Sequence, residues 1–123
     1  MAEGTKLDPV IDYINLAALD VSVDTPLRIV GDNFDDSKDS AGNYQIVVRL
    51  LKVDNNQVNY PQIVEVGDTA EGQKRIETLI PAGSFQTVNQ PPVRPRVFGS
   101  LTVTVTNYGG GYDEKTFPMI FEA

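Results

Sequence analysis

Ser100-Leu101-Thr102-Val103-Thr104-Val105-Thr106 alternates apolar and hydroxyl side chains without interruption. In an extended chain successive side chains point to opposite faces, so Leu101, Val103 and Val105 share one face and the three threonines the other. That is the pattern of a strand with one face in a core and one in water, as antiparallel sheets present it. Moving outward, the same period places Leu19, Val21 and Val23 opposite Asp20, Ser22 and Asp24. It recurs more loosely in Leu27 to Val30, Tyr44 to Val53, Val58 to Val66, Arg75 to Ile80 and Thr116 to Phe121. These seven segments are separated by turn-forming clusters: Gly31-Asp32-Asn33, Asp54-Asn55-Asn56, Gly67-Asp68, Pro81-Ala82-Gly83 and Gly109-Gly110-Gly111. Asp54 to Gln57 reads as a hairpin loop. Pro61, inside Val58 to Val66, removes a ladder donor and puts that strand on an edge or beside a bulge. No long stretch carries helical spacing; Val10 to Leu19 comes nearest but follows Pro9 and reads as extended. The expectation is an all-β antiparallel sandwich of about seven strands with little helix.

At 123 residues the chain is long enough for one core. It is expected to form a single domain over 1–123, with residues 1–8 as an N-terminal arm. Histidine, cysteine and tryptophan are absent. Their absence removes Ser-His-Asp and Cys-His nucleophile systems, imidazole and thiolate metal sites and any disulfide framework. Seventeen acidic residues against ten basic ones leave a net charge of −7, the wrong sign for a phosphate backbone. Neither nucleic acid nor a membrane is expected as a partner, since no eighteen-residue apolar run and no signal-type N-terminus is present. No cofactor is implied.

Several landmarks, in order, resemble the IPT/TIG group of immunoglobulin-like domains. They are Pro9-Val10-Ile11 with Ile14, Leu27 to Phe34, Ile80-Pro81, Gly99 to Asn107, then Gly109-Gly110 and a closing Phe117 to Phe121. Residue chemistry accounts for them independently: Gly31 lets the chain turn after a strand, Phe34 folds back onto the core, and Asn107 to Gly111 tolerate positive φ. The chain departs from the group between Pro81 and Gly99, where the connection is longer. The resemblance implies an architecture used for spacing, dimerisation and surface recognition, and speaks against catalysis.

Four constellations stand out as candidate sites. Asp32 to Ser40 packs four carboxylates into a loop, but the calcium-loop spacing with a distal Glu does not align, so no metal site is expected. Asp113 with Glu114, and Asp20 with Asp24, are formal carboxylate pairs without the buried pocket an acid catalyst needs. Tyr108 and Tyr112 flank the triple glycine, and with Tyr60 and Phe98 they could stack on a sugar ring, or simply pack on the core edge. Arg94 and Arg96 fall two apart among prolines 91, 92 and 95, so both guanidinium groups would face one way on a stiff strip. That arrangement suits carboxylates of a protein partner, or it neutralises acids of the same domain.

The function expected from these features is non-enzymatic: a structural or interaction protein, most concretely an accessory protein decorating a virion capsid. Its partner-binding residues would be Arg94, Arg96, Phe98, Tyr108 and Tyr112, with Gln86 to Phe98 as the docking segment. A chain made in a host cytoplasm and displayed on a particle would carry no signal and no cysteine. The alternative is a carbohydrate-binding or adhesin module within a larger cell-surface assembly; association of like copies is left open.

Overall fold

The computed structural model describes residues 8–53, 56–85 and 96–122, with the side chain of Arg96 outside that description. Nine strands occur among the described residues, and no helix: β1 (Val10–Ile14), β2 (Ala18–Asp20), β3 (Thr25–Asp32), β4 (Val47–Lys52), β5 (Gln57–Asn59), β6 (Gln62–Asp68), β7 (Lys74–Ile80), β8 (Arg96–Thr106) and β9 (Tyr112–Glu122). They form two sheets, β1-β3-β7-β6 and β2-β9-β8-β4-β5. This is the strand order of immunoglobulin-type sandwiches. The all-β sandwich expected from the alternation is therefore the fold. Within the described residues no helix is long and apolar enough to cross a membrane.

β8 carries the centre of the larger sheet. Leu101, Val103 and Val105 are fully buried and meet Leu27, Ile29 and Ile76 of the opposing sheet in one core cluster. Thr102, on the outer face, is nonetheless buried, because it sits mid-sheet between Leu51 and Thr116 and shares a 2.8 Å hydroxyl–hydroxyl hydrogen bond with Thr116. Of the three threonines, Thr104 and Thr106 keep solvent contact.

Five sequence expectations are corrected. The stretch Val10 to Leu19 is two strands in different sheets. The amide of Asn15 donates to the Arg28 carbonyl while its own side-chain oxygen accepts from the Arg28 amide, which ends β1; two residues later the Ala17 carbonyl accepts from the Ile120 amide, which starts β2. β2 runs parallel to β9, so the sandwich is not wholly antiparallel. Val23 lies beyond β2 in a turn and is half exposed, although Leu19 and Val21 do face the core. Val58 to Val66 is likewise two strands. The β4–β5 ladder stops at Leu50↔Asn59; Pro61, two residues on, has no N–H with which to continue it, and the chain crosses to the other sheet as β6. Finally, Gly31 is not a turn residue: it lies inside β3 opposite Ile11, and the turn's positive φ belongs to Asn33, at 64°.

Phe34 folds back onto the core as expected and is buried. Asn107 is also buried and fastens two loops: its Nδ2 donates to the Asn33 carbonyl at 2.7 Å and its Oδ1 accepts from the Asp35 amide at 2.9 Å. Of the residues from Asn107 to Gly111, Gly109 alone takes a positive φ, 72°.

Candidate functional site

The two outer faces of the sandwich differ in chemistry. On the four-stranded sheet, Arg28 Nε contacts Glu77 Oε2 at 2.7 Å, and Arg75 Nη1 reaches Glu65 at 3.0 Å and Glu77 at 3.2 Å. Glu65 and Glu77 stand directly opposite one another across β6 and β7. Such a like-charged pair repels, and Arg75 relieves it; its own guanidinium is held above its ordinary pKa chiefly by the hydrogen bond to Glu65. This face is solvated by a ladder of charges.

The outer face of the five-stranded sheet reads differently when its register is followed in rows. Val58, Leu51, Thr102 and Thr116 stand side by side; next come Ser100 and Pro118; then Phe98, Ile120 and Ala18. Phe98 is 77% exposed, the largest fraction among the exposed large apolar side chains. With Ala17, Pro118 and Ile120 it rims a shallow apolar depression of about 310 Å³ floored by Gly99 and Met119. Gly99 faces inward opposite Met119, and a Cβ there would sit 3.4 Å from the Phe121 ring, so the strand lies close over the core beneath Phe98. An apolar ring standing clear of the surface is costly in water and becomes favourable when another surface covers it.

The five residues expected to bind a partner do not form one site. Phe98 and Thr106 are eight residues apart on β8, roughly 26 Å at strand rise, and Tyr112 pairs with Thr106. Tyr108 and Tyr112, 55% and 64% exposed, therefore stand at the opposite end of the sheet from Phe98. Tyr60 is exposed on a third surface, at the crossing from β5 to β6. Arg94 and most of the segment Gln86 to Phe98 lie outside the described residues. Arg96 opens β8 opposite Glu122, so this end of the segment is a strand.

Seven of the eight carboxylates considered as metal ligands or catalysts are engaged in the fold. Asp35 accepts from the Ser37 amide and hydroxyl, Asp36 lies 3.6 Å from Lys74, and Asp39 Oδ1 accepts from the Ala41 and Asn43 amides at 2.9 Å. Those amides, Asn43 first, hold the Asp39 carboxyl below its usual pKa. Lys74, hydrogen-bonded to Asp68, is held above its own. Asp113 accepts from the Ile11 amide at 2.7 Å and Glu114 from the Thr104 hydroxyl at 3.1 Å. Asp24 accepts from the Ala82 amide, and Asp20 from Ser22, whose hydroxyl and amide lower its pKa.

No protein-family model matches the chain, and no curated protein matches it. Among solved structures, one titled "AvmM Catalyzes Macrocyclization in Alchivemycin A Biosynthesis" is similar over 94% of this chain and 89% of its own, at a TM-score of 0.34 and 8% identity. A likeness that weak carries no argument about this chain.

Proposed function

We propose that the chain is a non-enzymatic interaction module, IPT/TIG-like in type, that docks on a protein surface through the outer face of its five-stranded sheet, most concretely as an accessory protein decorating a virion capsid. The observation that carries this reading is the contrast between the two faces: one saturated with ion pairs, the other led by Phe98 standing in water beside Ile120 and Pro118. An aromatic anchor flanked by smaller apolar groups, with hydroxyl residues around it, is the make-up of an interface centre. Sequestered carboxylates and the lack of histidine and cysteine favour binding over catalysis.

Co-sedimentation with the particle tests it. Phe98→Ser should weaken attachment by at least tenfold, the loss typical of a central aromatic anchor, while the melting temperature stays within a degree or two because the ring makes little packing contact. The pair Arg94→Ala with Arg96→Ala should weaken attachment further. Attachment unchanged in Phe98→Ser would remove this face from the interface.

A second reading, a glycan-binding module, is favoured by Tyr108 and Tyr112, both more than half exposed beside the Gly109 turn. Glycan-array binding lost in Tyr108→Ala and Tyr112→Ala, with particle attachment intact, would establish it instead.

A further inference from the structure

Where β5 stops, the side of the sandwich opens. Because Pro61 takes the chain away to the other sheet, β4 before Leu50 has no strand on its β5 side among the described residues. The ladder's alternation shows which groups face that opening. The Val53 amide donates to the Ser100 carbonyl, so Val53, Leu51 and Arg49 turn their backbone polar groups toward β8, and Val48 turns its own toward the open side. Across the gap runs β6, the edge strand of the other sheet, with an irregularity at Val64.

Between the two edges lies a groove of about 470 Å³, walled by Tyr44, Ile46, Val48, Tyr60, Ile63 and Val64. Tyr60 and Val64 are more than half exposed. Among the described residues, Lys38 is the one charged residue lining the groove. Its Nζ stands 4.7 Å from the centroid of the Tyr44 ring, and no ion pair among the described residues uses it. The turn that presents it is tied at its base by the Lys38–Tyr44 bridge and within by the Asp39 carboxylate. In a chain of net charge −7, a groove of mixed polar and apolar lining whose single charge among the described residues is positive selects an acidic guest.

We propose that this groove binds a short extended segment of a protein partner, which adds as a strand beside β4 at Val48, drops alternate apolar side chains between Tyr60 and Val64, and sets a carboxylate against Lys38. Strand addition supplies main-chain hydrogen bonds for affinity and side-chain pockets for specificity. Pro61 and the irregularity at Val64 keep the guest short and discourage longer edge-to-edge pairing with a second copy. This surface lies apart from Phe98, and the proposal does not rest on the reading of that face.

The test is an amide-spectrum titration of the ¹⁵N-labelled chain with the capped octapeptide Ser-Val-Thr-Val-Glu-Val-Thr-Ser, and with the same peptide carrying Lys in place of Glu. Saturable shifts should centre on Ile46 to Val48 and Tyr60 to Val64, with the Val48 amide gaining protection from exchange. The Glu peptide should bind about fivefold tighter than the Lys peptide, the scale of one exposed charge pair. Lys38→Glu, whose free spectrum should overlay that of the parent away from the substituted turn, should reverse the preference. The proposal is overturned by shifts absent at millimolar peptide, by shifts centred on Phe98 or Tyr112, or by a preference indifferent to Lys38→Glu. It is equally overturned if the same amides shift with protein concentration alone, which would make a second copy the occupant.

Discussion

A methyl group at Gly31 would collide with the carbonyl oxygen of Val10 and come within 2.8 Å of the Phe34 ring. The residue is needed because a neighbouring backbone, that of Val10, passes too close for any side chain, a demand made from elsewhere in the chain. Gly31→Ala should therefore destabilise by about 1–3 kcal/mol, the ordinary cost of overpacking, measured as a lower denaturation midpoint with an unchanged m-value. Lys52 is the converse case. It faces inward in line with Val48 and Leu50, is fully buried, and holds its ammonium 4.9 Å from the centroid of the Phe121 ring, a favourable cation–π geometry. Alternation marks position 52 as inward, yet nothing local says that a lysine would stay there. Where alternation and residue type agree, the outcome is simpler. Val103→Ala should cost on the order of 1–3 kcal/mol by deleting buried methyl groups, and Thr104→Ala should be near neutral, its hydroxyl losing one exposed hydrogen bond to Glu114. The opposite ranking in chemical denaturation would reverse the facing of β8.

At the scale of the element, β8 and β9 were legible because eleven-residue strands pair along their whole length and carry their own period. β2 and β5, three residues each, were not: three residues hold too little pattern to show which sheet they join. The acidic turn after β3 makes a further point. Its carboxylates repel in a linear reading, but in the fold each finds donors; Asp39 organises the turn from Lys38 to Tyr44 by accepting two amides. Because those bonds lower the carboxyl's folded pKa, their stabilising contribution is complete above the unfolded value of about 3.9 and is lost as pH falls through the lower folded value. The same holds for Asp20. The melting temperature should thus be flat near neutrality and fall on acidification below about pH 4, and Asp39→Asn should fall less steeply. A parent and variant with parallel acid limbs would show that Asp39 contributes nothing. Chelator should leave the melting temperature unchanged, since the turn's carboxylates are already taken up by amides, a hydroxyl and Lys74.

For the molecule as a whole, the pairings that close the sandwich are distant in sequence: β2 lies on β9, from Ala18↔Ile120 onward, and β1 is tied to β9 by the Ile11–Asp113 bond. Loop closure must precede these contacts, so refolding should take milliseconds to seconds; microsecond relaxation in a stopped-flow or temperature-jump experiment would contradict a topology this non-local. What the sequence by itself determined is the class of fold, because period-two burial is a local property that seven segments repeat. It also determined the exclusions that follow from composition, since missing residue types stay missing in any fold. Tertiary structure alone decided where strands change sheet, which glycine is crowded, and which exposed groups become neighbours. Tyr112 and Phe98 were one cluster on paper and stand at opposite ends of a sheet, while Lys38 and Val64, far apart in the chain, line one groove. The physical reason is that adjacency across strands is set by register and sheet order, and these are fixed by the energy of the whole packed core.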